Sequence, residues 1–171
     1  MVALMLNLLA ANARRNQFLA RRVAALRAVG RCIIVLSDRC AQLQVLRKMI
    51  VACGLAEDEV GLWDGKTKAA DRAVQLARPV VLCSYGMANE GLDKTELDTC
   101  VMATPKARVT QCIGRVQRPC ATKKTPLVVD VVDTYSIFAS MRWKRQQLYK
   151  KEGYEVQVLD AHAADDGAWF A

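Results

Sequence analysis

Four short runs of consecutive apolar residues constrain this 171-residue chain more than any other feature: Arg31 to Ser37 (RCIIVLS), Pro79 to Ser84 (PVVLCS), Leu97 to Ala103 (LDTCVMA) and Pro126 to Val132 (PLVVDVV). A strand that is apolar at successive positions, rather than alternate ones, is covered on both faces, as in a parallel sheet packed between helices. The segments between the runs have helical spacing. Asp38 to Cys53 places Leu43, Leu46, Met49 and Ile50 on one side. Thr67 to Ala77 opens on a capping Thr67 and lines up Ala70, Ala73, Val74 and Ala77. Thr134 to Lys151 reads as a long amphipathic helix, Val60 to Trp63 as a brief strand, and Tyr154 to Leu159 as a last strand. Strands separated by helices imply right-handed βαβ units and an α/β fold with a parallel sheet.

The amino terminus needs separate treatment, because MVALMLNLL followed by Ala11-Asn12-Ala13 imitates a secretion signal. No basic segment precedes it, Asn7 interrupts the apolar core, and the periodicity continues through Phe18, Leu19, Val23 and Leu26. One amphipathic helix over residues 3–28 is expected. No run approaches the ~20 apolar residues of a membrane span. A single domain over residues 1–159 follows, with residues 160–171, rich in Ala, Asp and Gly, as a flexible tail.

Charge narrows the class of partner. The chain carries a net charge of +8, and six arginines (Arg14, Arg15, Arg21, Arg22, Arg27, Arg31) precede the first acid, Asp38. Such a surface favours an anionic partner; nucleic acid is the usual one, an anionic membrane or plain solubility the others. The seven cysteines, Cys32, Cys40, Cys53, Cys83, Cys100, Cys112 and Cys120, form no CxxC pair. Several lie inside apolar runs, which fits buried free thiols in a reducing intracellular compartment. The one histidine, His162, stands apart from any cluster, so no metal site is expected.

Val109 to Pro119 (VTQCIGRVQRP) carries the chemistry. Gln111, Gly114, Arg115 and Arg118 stand in the spacing QxxGRxxR. Residues three and four apart share a helix face, so Arg115 and Arg118 are expected to address one target, with Gln111 a turn earlier. Two guanidiniums suit a phosphate, whose oxygens match their fork and whose charge they answer at any working pH. Gly114 lets another surface approach the backbone. An amphipathic helix with exposed arginines would use the same residues.

Other segments end at strand termini, where ligands of parallel sheets gather. Ile33 to Arg39 (IIVLSDR) leads into Ser37, Asp38 and Arg39; Ser37 or Asp38 could equally cap the next helix. Val80 to Asp93 (VVLCSYGMANEGLD) runs from a strand through Ser84 and Tyr85 and turns to Gly91 and Asp93. Gly65-Lys66-Thr67 imitates the end of a P-loop, but the preceding glycine, Gly61, is one residue too close, and Asp64 would set a carboxylate beside the phosphates.

Taken in order, these segments resemble motifs IV, V and VI of superfamily 2 helicases, with GLWDGKTKAADR similar to the glycine turn before motif V. The resemblance covers about residues 12–158 and is nearest to helicases of large DNA viruses and phages, where an RN pair like Arg15-Asn16 precedes the first strand. It implies a RecA-like helicase C-terminal domain. By the resemblance, Arg115 and Arg118 act as catalytic arginine fingers on the ATP γ-phosphate, and Gln111, Gly114, Gly91 and Asp93 contact or sense the nucleotide. Ser37, Arg39, Gly65, Ser84 and Tyr85 would face single-stranded or duplex nucleic acid. The resemblance also exposes an absence: the sequence has no Walker A lysine loop and no acidic Walker B motif. Phosphoryl transfer needs both, so the chain is expected to be the second lobe of a motor. ATP would be shared with an N-terminal RecA-like lobe that also holds Mg²⁺, and the chain alone would be inactive as an ATP hydrolase. The other reading is a stand-alone RecA-like lobe that binds nucleic acid or protein without catalysis. In the last helix, Arg142, Trp143, Lys144, Arg145, Tyr149, Lys150 and Lys151 could grip nucleic acid, or form a solvated face with one aromatic stripe packed inward.

Overall fold

A computed structural model describes residues 1–161. His162 and most of the expected tail lie outside the described residues. Helices α1 (Val2–Ala11) and α2 (Ala13–Ala28) lead into β1 (Ile33–Leu36) and α3 (Cys40–Ala52). There follow β2 (Val60–Trp63), α4 (Ala69–Ala77), β3 (Val80–Cys83), α5 (Tyr85–Gly91) and β4 (Thr99–Met102), then α6 (Thr110–Gln117), β5 (Leu127–Asp130) and α7 (Ile137–Lys151). The sheet is wholly parallel in the order β2-β3-β1-β4-β5, with Ile33 in register with Val80 on one side and Thr99 on the other.

Successive side chains of a strand point to opposite faces, so each apolar run feeds two cores. Ile34, Leu36, Cys83, Cys100 and Met102 pack under Tyr85, Ala88, Ile113, Val116 and Tyr149 from α5, α6 and α7. Ile33, Val35, Val80, Leu82 and Val101 pack against Leu19, Val23 and Leu26 of α2 and Leu43, Leu46 and Ile50 of α3. β2 and β5 are the edges, and all four residues of β5 are only half-buried.

Four local expectations are corrected. The helix expected over residues 3–28 breaks at Asn12, whose side chain accepts from the Arg15 amide at 2.9 Å and starts a second helix. Buried Asn16 donates to Ala10 O at 2.8 Å, satisfying a carbonyl that the break leaves free. Thr67 does not cap α4; its hydroxyl is drawn into the preceding turn, bonding Asp64 at 3.2 Å. The turn expected after Ser84 contains a helix, α5, capped by the Ser84 hydroxyl, which accepts from the Met87 amide at 3.2 Å. Tyr154 to Leu159 is not a strand: Tyr154 packs edge-on against Tyr149 at 5.7 Å, and the residues beyond it stay exposed.

Helix ends fall into two kinds. α2 and α3 run out into Gly30 (φ 81°) and Gly54 (φ 105°), left-handed positions that glycine adopts without cost. The helices α4, α5 and α6 instead end against a cation brought from elsewhere. Lys94 donates to Leu76 O and Arg78 O at 2.9 and 3.0 Å, Arg115 to Asn89 O and Leu92 O, and Lys123 to Val116 O at 2.7 Å. Each supplies the positive charge that the carbonyl end of a helix favours.

Candidate nucleotide and nucleic-acid site

The carboxyl ends of the strands are laced together by charged side chains. After β1, Asp38 receives Lys106 Nζ at 2.8 and 3.0 Å. Arg145, fully buried on α7, grips Asp130 at the end of β5 through two parallel bonds of 2.7 and 2.8 Å and donates a third to Lys106 O at 2.9 Å. Tyr149 donates to the same carboxylate at 3.1 Å. Arg15 of α2 holds Asp133 with bonds of 3.1 and 2.9 Å and also donates to Ala103 O. Buried Gln42 accepts from Ser37 Oγ at 2.7 Å and donates to Asn16 Oδ1 at 2.9 Å. These pins fix the loops on which the site residues sit.

Buried Cys112, Ile113 and Val116 lock α6 to the sheet and leave Gln111 exposed. Arg115 projects to the C-terminal end of α5, where its two terminal nitrogens meet Leu92 O at 2.7 Å and Asn89 O at 2.6 Å. Arg118 lies just past the helix, in extended backbone, and its guanidinium meets the Asp93 carboxylate at 2.9 Å. The expected single helical face is therefore replaced by a different convergence. Both arginines end on the segment Asn89 to Asp93, which brings Gly91, Asp93, Arg115 and Arg118 together. The two contacts differ in strength. Arg115 is half-buried and committed to two carbonyls, whereas the Arg118–Asp93 pair is 39% and 88% exposed. Such a surface pair stabilises by about 0–1 kcal/mol and opens readily.

The glycines report on crowding. A Cβ on Gly91 would lie 3.3 Å from the Trp63 ring, a tight contact. A Cβ on Gly114 would meet nothing within 4 Å, so nothing among the described residues demands glycine there. Gly114→Ala is expected to raise the stability of the chain by about 0.4–1 kcal/mol, because alanine favours helix and narrows the unfolded ensemble. Urea unfolding measures this; a lower midpoint would show that Gly114 is constrained from within.

The nucleic-acid candidates are placed unevenly. Ser37 is fully buried and accepts from the Arg39 amide at 3.0 Å. The Arg39 guanidinium reaches back to α1, donating to Ala3 O at 3.1 Å and to Asn7 Oδ1, and to Asp38 O at 2.9 Å. Tyr85 is buried, its hydroxyl donated to Thr104 O at 2.7 Å, and burial lifts its pKa well above the usual range. Ser84 is half-buried and Gly65 exposed. In the Gly65 turn the Asp64 carboxylate accepts from the Lys66 amide at 2.9 Å and from Thr67 Oγ1, so the turn is closed by the chain's own carboxylate. Ser84, Gly65 and Arg39 are thus reachable from solvent, while Ser37 and Tyr85 are buried.

Among the cysteines, Cys83, Cys100 and Cys112 are buried free thiols. Burial lifts Cys83 to about 12 and Cys112 to about 11, so both stay protonated at neutral pH. Cys40 and Cys53 are exposed. Lys106 joins the site without having been marked from sequence, whereas Arg145, read there as part of a basic face, and Arg15, read there in the RN pair, are committed to Asp130 and Asp133. For Arg145 a signal existed: Phe138, Arg145 and Tyr149 fall at helical spacing on one face.

No family model matches the chain. Its fold superposes on bacteriophage T4 UvsW with a TM-score of 0.75, over 94% of this chain and 37% of that one, at 19% identity. It also superposes on the C-terminal part of the Fun30 ATPase domain with a TM-score of 0.56, over 82% of this chain and 45% of the other, at 13% identity. The architecture is therefore RecA-like, a five-stranded parallel sheet flanked by helices, as in helicase ATPase domains. In sequence, the chain is 30% identical over 145 residues to "Putative ATP-dependent RNA helicase L396" of Acanthamoeba polyphaga mimivirus, matching 84% of this chain and 28% of the relative. It is 30% identical over 115 residues to "Putative ATP-dependent RNA helicase QP509L" of African swine fever virus (strain Badajoz 1971 Vero-adapted), matching 66% and 23%. A third relative, "Putative helicase 22" of Sulfolobus islandicus filamentous virus, is 30% identical over 124 residues, or 64% and 22%. The chain belongs to this family of viral helicase-like proteins and spans about a quarter of the length of the curated relatives it matches.

Proposed function

We propose that the chain is the second motor lobe of an ATP-dependent superfamily 2 helicase or translocase. The convergence of Arg115 and Arg118 on the segment holding Gly91 and Asp93 carries this reading. The likeness to the C-terminal part of an ATPase domain supports it. ATP sits between this lobe and a first RecA-like lobe, whose Walker residues hold the phosphates and Mg²⁺. Arg118, once released from exposed Asp93, stabilises charge on the transferred phosphoryl group. Arg115 joins it or holds the Asn89–Asp93 segment in place. Gln111, exposed and without a side-chain bond among the described residues, senses the nucleotide, and open Gly114 admits the opposing lobe. Ser84, Gly65 and Arg39 contact the nucleic-acid backbone, and lobe closure moves them along a strand. No described helix is long and apolar enough to cross a membrane, and the buried thiols suit a reducing interior.

The test begins with the chain alone. It is expected to show no measurable nucleic-acid-stimulated ATPase in a coupled assay. Magnesium-dependent hydrolysis that follows the chain through purification and disappears in Arg115→Ala would overturn the assignment of lobes.

A further inference from the structure

The structure divides the basic, aromatic stretch of α7 in a way its sequence does not show. Phe138, Arg145 and Tyr149 turn inward and are buried. Ala139, Ser140, Trp143, Lys144, Gln147, Lys150 and Lys151 are all exposed and, at helical spacing, share the outer face. Trp143, the largest side chain on that face, is 61% exposed. No acidic residue occurs anywhere in α7. The stripe from Ser136 to Lys151 is about 22 Å long at 1.5 Å per residue.

A second observation lies at its amino-terminal end. Tyr135 is 68% exposed, and the next residue, Ser136, has φ 42°, a left-handed conformation unfavourable for a residue with a Cβ. Anchors on both sides maintain that conformation. Arg15 grips Asp133 before it, and buried Phe138 follows it, donating its amide to Tyr135 O at 2.9 Å. The chain thus spends backbone energy where an aromatic ring is displayed in solvent.

We propose that this face of α7, from Tyr135 to Lys151, is a second binding surface for single-stranded nucleic acid. Trp143 and Tyr135 stack on bases, and Lys144, Lys150 and Lys151 meet phosphates. The occupant follows from charge and chemistry. An exposed indole among lysines with no carboxylate fits an anionic chain carrying flat rings, and stacking tolerates any base. The proposal rests on the nucleic-acid function proposed above, but its residues are separate from Arg39, Gly65 and Ser84.

The test measures binding of a fluorescein-labelled oligothymidylate to the full chain by fluorescence anisotropy across a salt series. Circular dichroism confirms that each variant is folded. Trp143→Ala is expected to weaken binding roughly tenfold, the scale of one stacked base. Trp143→Phe, which keeps an aromatic face, should retain most of the affinity. Lys144→Gln should lower the slope of log affinity against log salt by about 0.7, the share of one phosphate contact to a single strand. If Trp143→Ala binds like the unaltered chain while Arg39→Ala binds weakly, the α7 surface is refuted and the motor reading stands. Failure of the unaltered chain to bind the oligothymidylate at low salt would overturn both. If Trp143→Ala leaves binding intact but converts a sedimenting dimer to a monomer, the face is a protein interface and the proposal fails.

Discussion

Joined to a first lobe that carries Walker A and B, the chain should lose about 10³-fold in ATP turnover on Arg118→Ala, the scale of an arginine finger. Its stability should barely change, because the Arg118–Asp93 pair is solvent-exposed. Arg115→Ala should lower turnover to a similar degree and destabilise the domain as well, since it strips the guanidinium donor from Asn89 O and Leu92 O. Arg115→Lys should restore little, because one ammonium cannot replace a planar fork that spans two carbonyls. Turnover, urea midpoint and nucleic-acid affinity without nucleotide are measured on the same preparations, and the affinity should stay constant. If both alanine variants fold and turn over normally, the pair is a solvated helix terminus and the motor reading fails.

The largest expected effect on stability belongs to Arg145. It is 1% exposed, and both prongs of its fork bind Asp130, whose side chain is 15% exposed. Burial alone would make the guanidinium easier to deprotonate, but the bonds to Asp130 outweigh it and raise its pKa. Removing one partner of such a pair leaves an uncompensated charge inside the protein. Arg145→Ala is therefore expected to cost about 3–5 kcal/mol in chemical denaturation. Tyr149→Phe removes one bond to the same carboxylate and should cost about 1 kcal/mol. A loss below that figure for Arg145→Ala would mean that Asp130 is rehydrated when α7 loosens, and that β5 does not depend on this anchor.

The parts of the fold that could be read in advance are those where one physical signal acts alone. Continuous apolar runs identify β1, β3 and β4, which are buried on both faces, and the same pattern marks β5, although at the sheet edge it is only half-buried. Asn12 was missed because apolar periodicity continues on either side of it, and a capping side chain changes direction without changing pattern. Tyr154 to Leu159 has the pattern of a strand, but pattern does not provide a neighbour: Val156 and Val158 are 52% and 75% exposed, and β5 remains an edge. Charge misled more than apolarity did. Arg145 and Arg15 look like surface residues in sequence, yet each is committed to a carboxylate more than a hundred residues away or across a loop. At the candidate site, resemblance pointed to the residues, but the shared helical face expected of Arg115 and Arg118 does not form, because α6 ends at Gln117. Their meeting on Asn89 to Asp93 depends on how α5 and α6 lie side by side, which neither periodicity nor charge encodes.

The strand order also governs how the chain can assemble. β1 is first in sequence but central in the sheet, and its neighbours begin at Val80 and Thr99. During synthesis the segment from α1 to α3 emerges with Ile33 to Leu36 unpaired on both edges. Only α2 and α3 are then available to cover one side, and the other face waits for α5 and α6. Contacts this distant along the chain must overcome loop-closure entropy before they gain anything. Closure of β3 and β4 around β1 is therefore the step expected to limit folding, and the nascent chain is expected to be most exposed to aggregation before it.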